Sequence, residues 1–361
     1  MAFRSFKSLL AAVFSGIFLF FSAPVLAGGG AGNEKLDPAK VIMEHIKDAH
    51  EFHFFTIKKA DGTEFHATIP LPVILYSPQR GWDVFLSSKF HHGHSAYKGY
   101  MLHEGKIHAV NEAGEPLHDV QVYDLSITKN VVQMFLALVV LVVLLIGIAN
   151  RYKKGEGVTS APKGWQNALE PVITFVRDEV AKPNLGHNYN KYLPYLLTVF
   201  FFILINNLFG LLPGAANVTG NIAFTIVMGV ISFFVILFST NKHFWGHIFW
   251  YPGVPVPVRL FIMLPVELLG VFTKPFALIV RLFANMVAGH IIILSFVTLI
   301  FIFGSMSAVA GWGFSPLSIA FAVFINLIEI LVAFIQAFIF TNLTAVFIGQ
   351  AREGEHAEGH H

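Results

Sequence analysis

The sequence predicts an all-α polytopic membrane protein with five membrane helices, and a small α+β extracytoplasmic domain at its N-terminal end. Of its 361 residues, 55% are hydrophobic and only 13% are charged, whereas soluble domains have about 25% charged residues. Apolar stretches recur along the chain, and about 20 apolar residues are enough to cross a bilayer. The chain has no cysteine, which excludes disulfide frameworks and thiolate metal sites.

Residues 1–27 have the pattern of a secretory signal peptide. Arg4 and Lys7 precede the apolar run LLAAVFSGIFLFF, and small residues follow up to Ala27. This order of charged, apolar and small residues is typical of a signal that is removed, here after Ala27. It places the next segment outside the cytoplasm, in a bacterial-type envelope. An uncleaved first membrane span is the alternative.

Residues 28–127 are polar and mixed in composition, and we expect a periplasmic domain there. The stretch VIMEHIKDAHEFHFF predicts a short helix. The stretches FHATIPLPVILYS, WDVFLSS and KIHAVNE predict strands, because they are rich in β-branched and aromatic residues and are separated by turn sequences.

This domain is rich in histidine, and imidazole is a common metal ligand. No spacing among these histidines matches a zinc-binding pattern. We therefore interpret them as solvated surface residues and predict no metal site. The histidines considered are His45, His50, His53, His91, His92 and His94.

Residues 128–150 form the first predicted transmembrane helix. Its apolar part, Val131–Ala149, is followed directly by Arg151 and two lysines. Basic residues stay on the cytoplasmic side, so this helix runs from outside to inside. Residues 151–191 form a cytoplasmic connector, in which WQNALEPVITFVRDEV has apolar residues at helical spacing. That helix either lies along the membrane surface or is an ordinary amphipathic connector.

Residues 192–349 hold the other four predicted spans. The loops that we place outside are uncharged, and the inside loop carries Lys242 and Arg259, as the positive-inside rule requires. The tail, residues 350–361, is then cytoplasmic. The predicted spans are Tyr192–Leu212, Ile222–Phe238, Leu260–Phe303 and Leu317–Ile348, and a turn from Gly304 to Ser315 joins the last two.

Ionisable side chains interrupt the predicted span Leu260–Phe303. A charge in hydrocarbon costs a few kcal/mol, so an arginine there, Arg281, is by default a functional residue. His290 lies nine residues after Arg281, about 180° round the helix, and therefore faces a different environment. The helix face of the arginine carries Glu267, Lys274, Arg281, Asn285 and Ala288.

The last two spans form a predicted antiparallel hairpin. Counting outwards from the centre of its turn places His290 opposite Glu329, and it places Arg281 within one helical turn of Gln336. Pairing of this kind makes buried ionisable groups tolerable. The hairpin therefore predicts an acid–imidazole pair on the outer side of the membrane.

This arrangement suits a proton path in two halves. The pair of His290 and Glu329 can take up and pass protons, because imidazole titrates near neutral pH. Arg281 stays charged and cannot relay protons, but it blocks a direct leak between the halves and attracts a carboxylate on a moving partner. The sequence has no nucleophile–base, phosphate-binding or metal motif, so we predict a non-catalytic protein without a cofactor.

The run PFALIVRLFANMVAGH around Arg281, preceded by LPVELLG and followed by QAFIF from Gln336, resembles subunit a of the F-type ATP synthase. With NNLFGLLP in the second span, the resemblance extends over about Leu193–Gly349. It implies that Arg281 is the stator arginine facing the carboxylates of the c-subunit rotor ring, and that Glu267 is the acid of the cytoplasmic half-channel. The residues that it places near the arginine are Asn207, Asn285 and Gln336.

Two features of this sequence depart from the family pattern. Many bacterial members have Glu at position 290 and His at position 329, whereas this sequence exchanges them as His290 and Glu329. The exchange keeps one acid and one imidazole in the same place, so we expect an intact outer half-channel. The signal peptide and the large N-terminal domain depart from the shorter bacterial pattern and resemble family members with a periplasmic extension.

The resemblance also implies a function, partners and a location. The function is proton translocation through two half-channels, coupled to ATP synthesis. The partners are the c-subunit ring, b-type peripheral stalk subunits, other ATP synthase subunits and membrane lipid, without nucleic acid. The location is a bacterial cell inner membrane, with a periplasmic N-terminal domain, a cytoplasmic C-terminus and a steeply tilted last helix pair.

Two alternatives belong to other functional classes. A secondary transporter would usually show internal repeats, and we find none in the sequence. A membrane-anchored binding protein would have the histidine-rich domain as its working part.

Overall fold

The computed structural model describes residues 47–58, 64–93, 95–103, 105–111, 114–117, 119–157, 164–212, 215–240, 245 and 256–352. The predicted signal peptide, His45, His94, Lys242 and most of the predicted tail lie outside these ranges. The chain divides into two compact units, Met1–Gln133 with Gly210–Ala216, and Met134–Phe209 with Asn217–His361. We describe each unit separately.

The described part of the first unit is built from antiparallel strands. They are β1 (Glu51–Lys58), β2 (Glu64–Pro70), β3 (Pro72–Ser77), β4 (Gly81–Leu86), β5 (Tyr100–His103), β6 (Lys106–Ala109) and β7 (Tyr123–Asp124). β1 pairs with β2, β3 lies between β4 and β7, and β5 pairs with β6. Alternate residues of β3, Val73 and Leu75, are fully buried against Phe90 and Tyr100, because successive side chains of a strand point to opposite faces.

The predicted helix in VIMEHIKDAHEFHFF is wrong in its described part. Residues Glu51–Lys58 form a strand instead, which pairs with Glu64–Pro70 over its whole length. Its run of aromatic and β-branched residues favours a strand, and the pairing partner lies only a few residues further along the chain. The strands predicted in the three later stretches are confirmed, whereas β5 and β7 were not predicted.

The interpretation of the histidines as solvated surface residues is wrong for His50. Its side chain is buried, and its Nε2 lies 2.7 Å from the carboxylate of Asp124. This contact joins the start of β1 to β7, which lies just before the first helix. Within the described ranges, no group of three or more His, Asp or Glu side chains is arranged to hold a metal ion.

The remaining described elements are helices. The long ones are α1 (Lys129–Lys153), α2 (Trp165–Phe175), α3 (Tyr189–Gly210), α4 (Ile222–Phe238), α5 (Leu264–Met306) and α6 (Ala308–Arg352). Short helical turns lie at Ser87–Gly93, Val176–Ala181, Lys182–Leu185, Gly186–Asn188, Val256–Val258 and Arg259–Met263, of which Val176–Ala181 and Arg259–Met263 are π-helical. The predicted helix in the connector is confirmed by α2 and the turns that follow it. Its Phe175 contacts Phe334 and Phe338 of α6, with ring centroids 6.1 and 5.4 Å apart.

Within the described residues, four helical runs are long and apolar enough to cross a membrane: Lys129–Lys153, Trp165–Gly210, Val256–Met306 and Ala308–Arg352. This confirms a polytopic membrane protein. The fifth predicted span, Ile222–Phe238, is an apolar helix of 17 residues. At 1.5 Å per residue it is about 25 Å long, slightly less than the ~30 Å hydrocarbon core, so the count of five spans stays a prediction.

The predicted turn from Gly304 to Ser315 is wrong. α5 continues to Met306, and α6 begins at Ala308. Only Ser307 is extended between them, and its Oγ accepts a hydrogen bond from the Ala310 N–H at 3.0 Å, as an N-cap does. A Cβ at Gly311 would crowd the Cα of Gly304, so these glycines allow two helices to approach closely and do not mark a loop.

Candidate functional site

The α5–α6 hairpin brings His290 and Glu329 together. The Nδ1 of His290 lies 3.9 Å from the Oε1 of Glu329, and the two side chains are level, as the predicted hairpin register requires. This separation exceeds the length of a hydrogen bond. Proton transfer between the two groups therefore needs a rotamer change or a bridging water.

Glu329 is buried between the helices. Its residue is only 6% exposed, and within the described residues neither carboxylate oxygen has a hydrogen-bond partner. An isolated buried carboxylate is costly when ionised. The only ionisable side chain that the described structure places within 4 Å of it is His290, so the charge state of this acid depends on that neighbour.

Gly289 makes room for the acid, and sequence analysis did not identify it. A Cβ at this position would overlap Oε1 of Glu329, so any larger residue would displace the carboxyl group. A glycine in the middle of a long helix, directly before a histidine that faces a carboxylate, is the signal that was available. Gly costs about 1 kcal/mol relative to Ala in a helix interior, which indicates a packing reason for it.

The orientation of His290 is fixed by the backbone of its own helix. Its Nδ1 lies 3.1 Å from the Met286 carbonyl oxygen, and a carbonyl only accepts, so Nδ1 donates. In the neutral ring, Nε2 is then the unprotonated nitrogen. The Nδ2 of Asn217 approaches the same carbonyl oxygen at 3.5 Å, so this buried amide, which sequence analysis also missed, belongs to the same polar cluster.

Arg281 lies on a different face of α5 from this cluster. Arg281 and Asn285 are exposed, together with the small residues that flank them, whereas Leu278, Leu282 and Met286 are buried. Among the described residues, no side chain or backbone group forms an ion pair or hydrogen bond with Arg281. The arginine is thus open to a partner outside this chain. The small residues flanking it are Ala277, Ala284 and Ala288.

The structure does not join the predicted amides to Arg281. Asn207 on α3 is fully buried, and its Nδ2 donates to the carbonyl oxygen of Ala333 on α6 at 3.2 Å. Gln336 is 4% exposed and lies on the same helix as Glu329. In the described structure neither amide is hydrogen-bonded to the guanidinium. Asn207 therefore fixes α3 against α6 rather than the arginine.

The other predicted inner residue, Glu267, is half-buried near the start of α5. The side chain of Lys274 lies outside the described part of the structure. A cavity of about 30 Å³ is present between the ends of α4 and α6 and the first third of α5, which is room for about one water. Its lining includes Thr240, Pro275 and Gln350.

Comparison with protein families shows where these helices belong. A family model described as ATP synthase A chain matches residues 131–349, which includes every predicted residue of the proton path. The chain belongs to this family. Subunit a is a membrane subunit of the Fo sector of ATP synthase and is not itself catalytic, so the prediction of a non-enzyme is confirmed. The transporter and binding-protein alternatives are excluded for the membrane helices.

Individual relatives agree with this assignment. ATP synthase subunit a from Chloroherpeton thalassium is 46% identical over 254 residues, which cover 68% of this chain and 73% of the relative. ATP synthase subunit a 2 from Chlorobaculum tepidum is also 46% identical over 254 residues, with 68% of each chain covered. ATP synthase subunit a from Anaeromyxobacter dehalogenans is 41% identical over 239 residues, covering 63% of this chain and 58% of the relative.

The N-terminal domain matches a separate family. Residues 41–125 match a model described as a domain of unknown function, DUF8433. This match ends shortly before the first membrane helix begins at Lys129.

Proposed function

We propose that this chain conducts protons through two half-channels that meet at Arg281, at its interface with the c-subunit ring, and so couples proton flow to ATP synthesis. The family implies proton translocation for ATP synthesis. The observation that carries the finer proposal is the division of polar groups on α5. Arg281 is exposed on one face, and His290 faces the buried Glu329 on another.

In the outer half-channel, His290 and Glu329 relay the proton. Imidazole titrates near neutral pH, and a neighbouring carboxylate tunes it. The carboxyl group of Glu329 can accept the proton that the imidazole passes and release it again. The Met286 carbonyl, to which Asn217 also donates, orients the imidazole.

Arg281 separates the outer half-channel from the inner half-channel. Its guanidinium stays protonated at any accessible pH, so it repels protons and does not pass them. A rotor carboxylate about 4 Å away would be attracted by roughly 4 kcal/mol at an effective dielectric constant of 20, which favours release of its proton. The alanines beside Arg281 leave space for a rotor helix to approach the guanidinium closely.

In the inner half-channel, Glu267 receives the proton on the cytoplasmic side. The cavity near this end of the helices is lined mainly by apolar side chains, and its polar lining residues, Thr240 and Gln350, are where water on this route would bind. Asn285 lies on the open face beside Arg281 and supplies a polar group next to the guanidinium. The buried Gln336 and Asn207 act through the helix packing, since Asn207 holds α3 against α6. Each of these amides can donate and accept hydrogen bonds.

The same proposal covers the assembly and its orientation. The partners are the c-subunit ring, b-type peripheral stalk subunits and the other ATP synthase subunits, in a bacterial inner membrane. Residues 28–127 are periplasmic, and residues 151–191 and 350–361 are cytoplasmic, as the distribution of basic residues indicates. The chain then crosses the membrane five times after its signal peptide.

The test is ATP-driven acidification of inverted membrane vesicles that carry Arg281→Ala. We expect abolished pumping in an assembled complex, together with an added passive proton leak, because the barrier between the halves is lost. Arg177→Ala is a matched control, because Arg177 pairs with Asp178 in the connector and should leave pumping unchanged. Wild-type pumping by Arg281→Ala, with assembly verified, would contradict the proposal.

A further inference from the structure

The outer face of the β4–β3–β7 sheet is an apolar grid of three rows. Tyr76 lies opposite Trp82 on one side and Tyr123 on the other. Ile74 lies opposite Val84, and its carbonyl accepts from the Leu125 N–H. Pro72 lies opposite Leu86, and its carbonyl accepts from the Ile127 N–H. The rows are Trp82–Tyr76–Tyr123, Val84–Ile74–Leu125 and Leu86–Pro72–Ile127.

This grid is exposed in the chain. Trp82 is 65% exposed, Val84 62% and Leu125 55%, and none of the nine side chains is charged. The opposite face of the sheet buries Val73 and Leu75 in the domain core, so the grid is a second apolar face. A large exposed apolar patch normally marks an interaction site.

The chain connection limits how far this grid can lie from the bilayer. The first helix begins at Lys129, and its first turn is tied to the domain by hydrogen bonds from the Lys129 N–H to the Ala49 carbonyl and from the Asn130 N–H to Asp48. The apolar part of the helix begins at Val131. Four residues span at most about 14 Å, so Ile127 lies within that distance of the hydrocarbon edge.

The order of side chains along the grid fits a lipid surface. Moving away from the helix along β7, the rows pass from the aliphatic Leu86–Pro72–Ile127 to the aromatic Trp82–Tyr76–Tyr123. Tryptophan and tyrosine are enriched at the headgroup level, with aliphatic residues deeper. The polar headgroup layer of each leaflet is about 5–7 Å thick, so the first row is within its reach.

We propose that the outer face of the β4–β3–β7 sheet binds the outer leaflet of the membrane, with the row of Leu86 deepest and the row of Trp82 at the headgroups. The occupant is the lipid surface and not another subunit, because the first row adjoins the membrane helix and the grid carries no charge to match a protein rim. The domain is thereby held against the bilayer by a second contact besides the helix α1. This inference rests on the proposed periplasmic location of the domain and not on the proton path.

The absence of cysteine from the sequence makes this surface accessible to single-site labelling. We would attach a nitroxide to Trp82→Cys, Val84→Cys or Leu86→Cys in the complete complex, in vesicles of phosphatidylethanolamine and phosphatidylglycerol. His108→Cys is the control, because His108 is exposed on β6, whose other side packs into the core. The three labelled positions are exposed, so each label replaces a side chain outside the core.

The measurement is the collision rate of each label with oxygen, which is concentrated in lipid, and with a water-soluble nickel chelate. We expect the collision rate with oxygen to exceed that with the nickel chelate at positions 84 and 86. The ratio of the two rates should increase from position 82 to position 86, and at His108 collisions with the nickel chelate should be more frequent. Nickel access at position 84 equal to that at His108 would place the grid in water and overturn the proposal. Exclusion of both reagents would show a protein partner on the grid and would overturn it equally.

Discussion

In the proposed outer half-channel, the acid is Glu329, whose buried carboxylate has His290 as its ionisable neighbour. Glu329→Gln keeps the size of the side chain but removes its ability to carry a proton. We expect ATP-driven proton pumping to fall by at least ~10²-fold, the usual contribution of a positioned acid or base, while the complex still assembles. Fluorescence quenching of a pH-sensitive dye in inverted vesicles measures this.

A double variant is the control for this prediction. His290→Glu combined with Glu329→His keeps one acid and one imidazole at the same two positions, and we expect it to retain pumping. His290→Glu alone puts two acids together and should lose pumping. If Glu329→Gln pumps at the wild-type rate, the proton does not pass through this carboxyl group.

Gly289 tests whether the position of that carboxyl group matters. Gly289→Ala puts a Cβ where Oε1 of Glu329 lies, so the carboxyl group must move away from His290. We expect slower pumping although alanine favours the helix. Gly270→Ala on the same helix is the matched control, because nothing lies within 4 Å of its added Cβ. Equal pumping by both variants would show that the Glu329 position is not constrained.

At the scale of elements, the contact between His50 and Asp124 joins the start of β1 to β7. Burial raises the pKa of Asp124, but hydrogen bonds from His50 and Ser126 outweigh it and hold this pKa below its usual value. A carboxylate with a lowered pKa contributes stability that is present above its unfolded pKa of about 3.9 and is lost as the pH falls through the folded value. The stability of the domain should therefore decrease as the pH falls below about 4.

Asp124→Asn tests this dependence in the intact chain. At pH 7 we expect the variant to lose roughly 1 kcal/mol of stability, which is measured as faster hydrogen exchange of β3 and β7. The difference in exchange rate between variant and wild type should shrink below about pH 4. Asp83→Asn is the control, because its pair with Lys98 is at the surface and such pairs contribute little. If the difference in hydrogen-exchange rate between wild type and Asp124→Asn is as large at low pH as at pH 7, ionisation of Asp124 is not the cause of the stabilisation.

The elements also show what the sequence could predict and what it could not. Hydropathy predicts the membrane helices, because the cost of unpaired backbone groups in lipid leaves few alternatives. The turn at Gly304 was wrong because glycine and proline usually interrupt helices, whereas here Gly311 allows close packing. The strand at Glu51–Lys58 was predicted as part of a helix, although its aromatic and β-branched residues favour a strand, because its pairing with Glu64–Pro70 is not visible in the local pattern.

For the site, counting along the hairpin was enough to place His290 opposite Glu329, since both lie on long regular helices. Gly289 and Asn217 were missed because their roles depend on contacts with distant parts of the chain. Periodicity put Arg281 and Asn285 on one face but could not tell whether that face is buried. That depends on which neighbouring helices cover α5, and only the structure contains this information.

At the scale of the whole molecule, the residues of the proposed proton path all belong to the second compact unit. The family match to ATP synthase A chain begins at residue 131, after the N-terminal domain. Deletion of residues 31–125, which keeps the signal peptide and the helix α1, should therefore retain most of the proton pumping in inverted vesicles. The domain would then serve attachment at the outer surface and not conduction.

The decisive comparison is made within the truncated chain. Arg281→Ala in the deletion background should abolish the remaining pumping, which shows that this pumping still passes through the same path. The amount of complex in the membrane must be measured beside it, because loss of the second contact with the bilayer can lower assembly without altering the rate per complex. If assembled, truncated complexes do not pump at all, the N-terminal domain takes part in conduction, and the proton path cannot be confined to the membrane helices.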